Sequence, residues 1–518
     1  MKTVMVRTVL GVLSVAAAVA TASAQVNVLS ANYGNDRTNA NLLETKLTPA
    51  NVAPGSFGKI GSFPVDGQVY AQPLYVSGLN ISGQGRHNVL FVFTQHNSVY
   101  AWDADAVAQP ILLWTVNLGP PVPTALFEEY TDIEPEIGIL GTGAIDLQRG
   151  VLYVVSMNLL SGSPMFRLHA LDLTNGQEDL NGPVYISGMS PGTGAGSVDE
   201  IVLPFDSQWH IQRPGLLVAN DAVYICFGSH GDQGDWHGWL VTYNASDLRQ
   251  PLGSFATTAN GAGGSIWQSG RAPAVDDSGN LYVVTGNGDY DGLSNFAESF
   301  LKFTGSRAEL SDWFTPSDWQ TLSDWDTDLS AGPALIPGTH LLLGGDKSGR
   351  LYLVDGNAMG HLAATDAGPF QAIQAVQQSG IYQFALWNRP DGAYVYVQEE
   401  ESILKCYQII GGNMNPEPVS ESSEWSHSSF TGLAISANGG QDQTGILWLT
   451  TGYQLDPAIT GILRAFDASD LSHELWNSEL TNGPDRPGTF AKFAIPTVAN
   501  GKVYVPTFSN AIVVYGLL

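Results

Sequence analysis

The stretch Ala272-Pro-Ala-Val275, Asp276-Asp-Ser-Gly-Asn280, Leu281-Tyr-Val-Val-Thr285 reads as strand, turn, strand. Its apolar runs are short and hold β-branched and aromatic residues, and the Asp/Ser/Gly/Asn cluster between them is turn chemistry. The unit returns at Ile495-Pro-Thr-Val498, Ala499-Asn-Gly-Lys502, Val503-Tyr-Val-Pro506. Further starts fall near Val69, Gly141, Gln212, Ala331, Tyr382 and Thr431. Eight starts spread over roughly 425 residues, about 61 per step, suit a four-stranded propeller blade with some long loops.

A second mark lies downstream in several units. Val99-Tyr-Ala-Trp-Asp103 leads to Leu113-Trp114, and Leu463-Arg-Ala-Phe-Asp467 leads to Leu475-Trp476. Leu168-His-Ala-Leu-Asp172 and the shorter Leu351-Tyr-Leu-Val-Asp355 are further copies. This pattern puts a flat ring on the following strand, where it packs against the neighbouring blade and buries a large area. The last unit ends in Ala511-Ile-Val-Val-Tyr515 with only three strands. The segment Lys59–Val65 is expected to supply the fourth, because a closed ring leaves no exposed edges. The fold expected is therefore all-β, an eight-bladed β-propeller of four-stranded antiparallel blades, the last closed by an N-terminal strand.

Outside the repeat lie two short segments. Lys2 and Arg7, an apolar run from Val9 to about Ala20, and Ala22-Ser23-Ala24 form the pattern of a signal peptide over 1–24. The run is too short to span a bilayer. Residues 25–57 read as a strap or flexible arm, and 58–518 as one propeller domain. The composition agrees, with 58 Gly, 28 Pro and only 14% charged residues, which is much turn and little amphipathic helix.

The net charge is −28, and loss of two basic residues with the leader makes the mature chain more acidic still. Such a surface repels the phosphates of nucleic acid and anionic lipid, and attracts cationic partners. Cys226 and Cys406 are far apart in sequence, and Cys226 lies in the apolar run Tyr224-Ile-Cys-Phe227, as a buried thiol does. A disulfide between them is not deducible from spacing. There is no Cys-x-x-Cys-His for covalent haem.

Apolar-Ala-aromatic-Asp with a later Trp resembles the repeat of quinoprotein propellers, the fold of secreted alcohol and sugar dehydrogenases that use pyrroloquinoline quinone (PQQ). Gly263-Gly264-Ser265-Ile266-Trp267 is similar to that family's Gly-Gly-Thr-x-Trp segment, whose Trp floors the PQQ ring. Thr285-Gly286-Asn287 is similar to its Thr-Gly-Asn, whose Asn helps bind Ca²⁺. Asp324-Trp325-Asp326-Thr327-Asp328 resembles the segment carrying the catalytic aspartate, and Gly345-Asp346-Lys347-Ser348-Gly349 the turn whose cation contacts the quinone oxygens. The resemblance thus implies Asp326 or Asp328 as base, Trp267 and Lys347 as PQQ contacts, and Asn287 as a Ca²⁺ ligand. It departs from the family in two places. The family's adjacent cysteine pair is missing, and its Gly-x-Glu-x-Gly-x-Arg-Gly segment is replaced by Ser229-His-Gly-Asp232-Gln-Gly-Asp-Trp-His-Gly238. There Asp232 stands where the metal-binding Glu belongs. The chain looks like a divergent branch.

Other constellations compete. His230, Asp232, Asp235 and His237 have a spacing that suits a transition metal, with His210 nearby, but also suits polar loops over a propeller mouth. Glu136 abuts the strand Ile137-Gly-Ile-Leu140 at the end of an acidic stretch, and paired carboxylates can act on sugars. Glu399-Glu-Glu401 reads as a solvated turn. Trp313, Trp319 and Trp325 flank a loop, where sugars or blades stack equally well. Three functions follow: a PQQ- and Ca²⁺-dependent oxidation of an alcohol or sugar hydroxyl, with electrons passed to a separate cationic carrier protein; binding or cleavage of a polysaccharide through Glu136, the histidines and the tryptophans; or a non-catalytic binding scaffold. The leader points to a secreted or periplasmic protein. N-terminal sequencing of exported protein should begin at Gln25, and a chain still starting at Met1 would refute the leader.

Overall fold

The computed structural model describes residues 26–518 except 128–129, 363–369, 378, 399–401, 427–429, 453–459 and 482. The leader read over 1–24 and the Glu399-Glu-Glu401 turn lie outside the described residues.

The turn Asp276–Asn280 shows why the repeat folds as it does. Asp276 Oδ1 accepts the N–H of Ser278 and of Asn280, and its Oδ2 accepts the Tyr282 hydroxyl at 2.9 Å. The loop's donors are thereby satisfied by one side chain, and Ala274–Val275 and Leu281–Val284 pair antiparallel across it. Eight such antiparallel sheets form the blades, beginning at the inner strands Leu74–Ile81, Ala144–Asp146, Leu217–Ala219, Ala274–Val275, Leu329–Leu335, Ala385–Arg389, Gly432–Ser436 and Thr497–Ala499. We number the blades 1 to 8 in that order. Most carry four strands, and the single described α-helix, Trp319–Asp324, is one turn and a half long.

Neighbouring blades share an apolar wall and a recurrent hydrogen bond. Trp114 of blade 1 packs on the turn of blade 2, where a Cβ at Gly176 would come within 2.6 Å of the indole, and its Nε1 donates to Leu173 O. Second-strand tyrosines reach across to the next blade's turn, Tyr153 to Ala245 O at 2.5 Å and Tyr396 to Ala468 O at 2.7 Å. Cys226 and Cys406 are free, buried thiols.

Blade 8 is closed by the N-terminal strand Phe57–Pro64, antiparallel to Ala511–Leu517 on the outer edge. Phe57 is 1% exposed and sits against Trp448, Trp476 and Tyr515 with ring centroids 5.4, 5.0 and 6.4 Å away.

Before that strand the chain crosses the axis. Carbonyls of Val28, Leu29, Asn35, Asp36, Thr38 and Asn39 accept the N–H groups of Tyr75, Ile145, Val275, Leu335, Leu386 and Ile435 in turn. These belong to blades 1, 2, 4, 5, 6 and 7. Asn41 Nδ2 donates to Val498 O of blade 8, and Gly215, beside blade 3, lies so near that a Cβ there would be 2.6 Å from Ala31 Cβ. The buried Arg37 guanidinium donates to Pro273 O, Ser30 Oγ and Ala31 O.

Removing the Phe57 ring leaves a cavity against three aromatic side chains. Phe57→Ala should cost about 3–5 kcal/mol, read as a lower urea midpoint. A loss under about 1 kcal/mol, typical of a surface substitution, would show that the closing strand carries little of the ring's stability.

Candidate functional site

The segments that precede the inner strands converge on a chamber of about 390 Å³ at one end of the axis. The strap bonds the other ends of the same strands. In blade 5 the inner strand runs from Leu329, next to Asp328 in the chamber, to Leu335, which donates to the strap's Asp36 O. The chamber thus lies on the opposite side from the strap, at a mouth of the ring.

Six residues singled out from the sequence line this one chamber: Asp232, Trp267, Asn287, Asp326, Asp328 and Lys347. They come from blades 3, 4 and 5. The Lys347 ammonium is 2.6 Å from Oδ1 of Asp326 and 2.6 Å from Oδ1 of Asp328. Burial works to lower its pKa, but the two carboxylates outweigh burial and hold it protonated. Asp328 is itself buried, and burial pushes its carboxyl up to about 6, with Lys347 pulling the other way and Asp326 adding to the rise. Asp328 Oδ2 presses on Gly286, where a Cβ would lie 2.3 Å away, so the Gly between Thr285 and Asn287 is required by this packing. Asn287 Nδ2 donates to Asp232 Oδ2 at 3.1 Å, and Ser229 Oγ donates to Asp232 Oδ1.

Sequence reasoning missed several residues in and behind the chamber. Glu298 sits behind Asp328, fully buried, with Oε2 accepting the N–H of Leu329 at 3.0 Å and Oε1 without a hydrogen bond. Burial, then the Asp328 charge, push its carboxyl well above the usual range. Across the chamber Lys492 pairs with Asp132, and burial lowers its ammonium. Arg213, fully buried and lowered to about 10 by burial, lies over the rings of Tyr70 and Phe493. Phe430 and Phe493 pack tilted with centroids 4.7 Å apart, beside Trp267, whose centroid is 5.1 Å from that of Phe493.

Four non-glycine lining residues have left-handed backbone: Asp232 (φ 57°), Asp326 (φ 51°), Phe430 (φ 62°) and Phe493 (φ 60°). Asp tolerates this conformation, but for a bulky aromatic residue it is strained. Strain of this kind gathers at functional sites, where the surroundings over-determine it. No sequence signal announces it in a phenylalanine.

The remaining candidates lie outside the lining. Glu136 Oε1 pairs with His96 Nδ1 at 2.7 Å. His230 is buried, stacked on Phe127 at 4.2 Å and edge-on to Tyr130 at 5.3 Å, and burial takes its pKa down to about 3, so the ring is neutral. It borders a separate cavity with Trp209 and Gln233. His210 Nδ1–H donates to Asp206 O and its Nε2 accepts the N–H of His237; burial lowers it to about 4. His237 bonds Thr258 Oγ1 and Ala195 O. His210 and His237 are tied in this way, whereas neither ring nitrogen of His230 has a hydrogen-bond partner, and among the described residues no group of three or more His, Cys, Asp or Glu is arranged to hold a metal.

The chamber fits a planar, acid-bearing cofactor in kind: a half-buried indole, two phenylalanines and three cationic side chains face one space. Its oxygen donors, Asp232, Asn287 and Asp328, are those a hard cation takes, although Lys347 already neutralises part of their charge.

No family profile matches the chain, and no curated protein sequence matches it. Solved structures do. The quinohemoprotein alcohol dehydrogenase ADHIIG of Pseudomonas putida superposes with a TM-score of 0.60 at 15% identity, over 95% of this chain and 80% of that one. A europium-containing methanol dehydrogenase superposes with a TM-score of 0.60 at 13% identity, over 95% of this chain and 98% of that one. At these identities the likeness is one of fold, the propeller of quinoprotein dehydrogenases.

The raised Asp328 carboxyl makes stability depend on pH. Between its ordinary value of 3.8 and about 6 the folded chain holds a proton that the unfolded chain has released. Stability from this group therefore falls as pH rises through that window. The urea midpoint of the wild type, relative to Asp328→Asn, should fall from pH 4 to pH 6 and then level off. A difference that is flat, or that rises, would show that Asp328 titrates normally.

Proposed function

We propose that this protein is a quinoprotein-type oxidoreductase acting on an alcohol or sugar hydroxyl. The observation that carries the reading is the meeting of Asp232, Trp267, Asn287, Asp326, Asp328 and Lys347 in one chamber. The strained backbone of Phe430 and Phe493 supports it.

In this reading Trp267 would hold the PQQ ring, and Lys347, Arg213 and Lys492 would offset its carboxylates. Asp232 and Asn287, with Asp328 beside them, would hold the cation. PQQ supplies the two-electron acceptor when bound. The chain's own part is to orient the substrate and move its proton. Asp326 is exposed at the mouth and Asp328 is buried below it, both against Lys347. The hydroxyl proton passes to this pair, and the fixed ammonium holds the carboxylates in place. Electrons leave to a separate carrier, and the acidic surface suits a cationic one. One neighbour contains europium, a hard trivalent cation, so the metal requirement is tested with both Ca²⁺ and a lanthanide.

Purified protein should bind PQQ in calorimetry when Ca²⁺ or Eu³⁺ is present, and oxidise an alcohol or sugar with an artificial electron acceptor. Asn287→Ala should weaken the cation-dependent binding. Asp326→Asn should leave binding near wild type and lower turnover by about 10²-fold or more, and Asp328→Asn should lower turnover as far. The absence of PQQ binding with either cation would sink the reading.

A further inference from the structure

Beside the chamber runs a second, open groove of about 360 Å³, and the two share Asn287. Its floor is bare backbone. Gly263 and Gly288 bridge there, and a Cβ on Gly263 would fall 2.5 Å from Gly288 Cα, so no side chain can stand on it. One wall is the helix Trp319–Asp324, held in place by Ser323 Oγ, which accepts the Gly288 N–H at 2.9 Å. The facing wall carries Trp236, whose carbonyl accepts the Gly263 N–H at 3.1 Å. Trp236 and Trp319 are both half-exposed into the groove, while Tyr290 buttresses Trp319 at 5.3 Å. Just past the helix, Trp325 is 76% exposed, between the groove residue Asp324 and the chamber residue Asp326.

We propose that this groove binds an uncharged glycan chain and leads one of its hydroxyl groups into the chamber. Pyranose rings present a flat face of C–H bonds that packs on the negative face of an indole, and their edges present hydroxyls. The groove offers both halves of that recognition: two indoles at its walls, and Asp289, Asp324 and Gln320 as oxygen and amide partners around a flat floor. Its volume is within the range of small-ligand sites, about 300–1,000 Å³. No Lys or Arg lines it, and two carboxylates do, on a chain of net charge −28, so an acidic saccharide is repelled. Glycan binding stands on the groove alone; delivery of a hydroxyl to the chamber rests on the oxidoreductase reading above.

The test is calorimetry and tryptophan fluorescence on the full chain without PQQ, using cellohexaose, xylohexaose, mannohexaose and maltohexaose, with trigalacturonate as the acidic control. At least one neutral hexasaccharide should bind in the range of about 1 mM or tighter, and trigalacturonate should not. Trp236→Ala should weaken that binding roughly tenfold or more, as loss of an aromatic anchor does. Asp324→Ala, an exposed change that spares the fold, should weaken it as well, while both variants keep the wild-type circular dichroism and any PQQ binding. The proposal falls if none of the four binds at about 10 mM, a tenfold excess over the weakest affinity expected, or if the bound one is indifferent to both substitutions. Glycan binding without PQQ binding would keep the groove and remove the oxidoreductase reading. PQQ-dependent oxidation of small alcohols without glycan binding would do the reverse.

Discussion

A ring of sheets must meet itself, and here one antiparallel pair makes the meeting. Phe57–Pro64 lies on Ala511–Leu517, so the first and last parts of the propeller share blade 8. Without that pair the ring would end in an open row of backbone donors and acceptors. The chamber depends on this closure, because Lys492 and Phe493 enter it from the last blade while Asp232 and Trp267 enter from the third and fourth.

Within the chamber, charge is arranged in two ion-paired groups. Lys347 serves Asp326 and Asp328, and Lys492 serves Asp132. Buried charges persist only when paired or hydrogen-bonded. Glu298 is the exception: it lies behind Asp328 with one oxygen unbonded, and burial, then the Asp328 charge, push its carboxyl well above the usual range, while Asp328 is itself raised by burial.

The fold was legible because its signals are local. Asp276–Asn280 is a turn whose side chain bonds its own backbone, and the tryptophans that follow the Ala-aromatic-Asp pattern need only a neighbouring blade to pack on. Six of the chamber's residues were legible through short motifs on consecutive blades. The rest were not, since Arg213, Phe430 and Lys492 are neighbours only once the ring has closed, and a left-handed φ at Phe430 leaves no trace in composition. The histidine cluster misleads for a related reason. His210 and His237 have the spacing of ligands, but their nitrogens are spent on backbone and hydroxyl partners. The strap's path escaped for a third: its bonds to six of the inner strands are made by main-chain carbonyls, which every residue possesses.

By bonding the inner strands of blade after blade, residues 28–41 cross the axis on the side away from the chamber. A molecule held in the chamber therefore has the chain's own N-terminal segment on its far side, and loosening that segment would loosen the inner strands that carry the chamber's side chains.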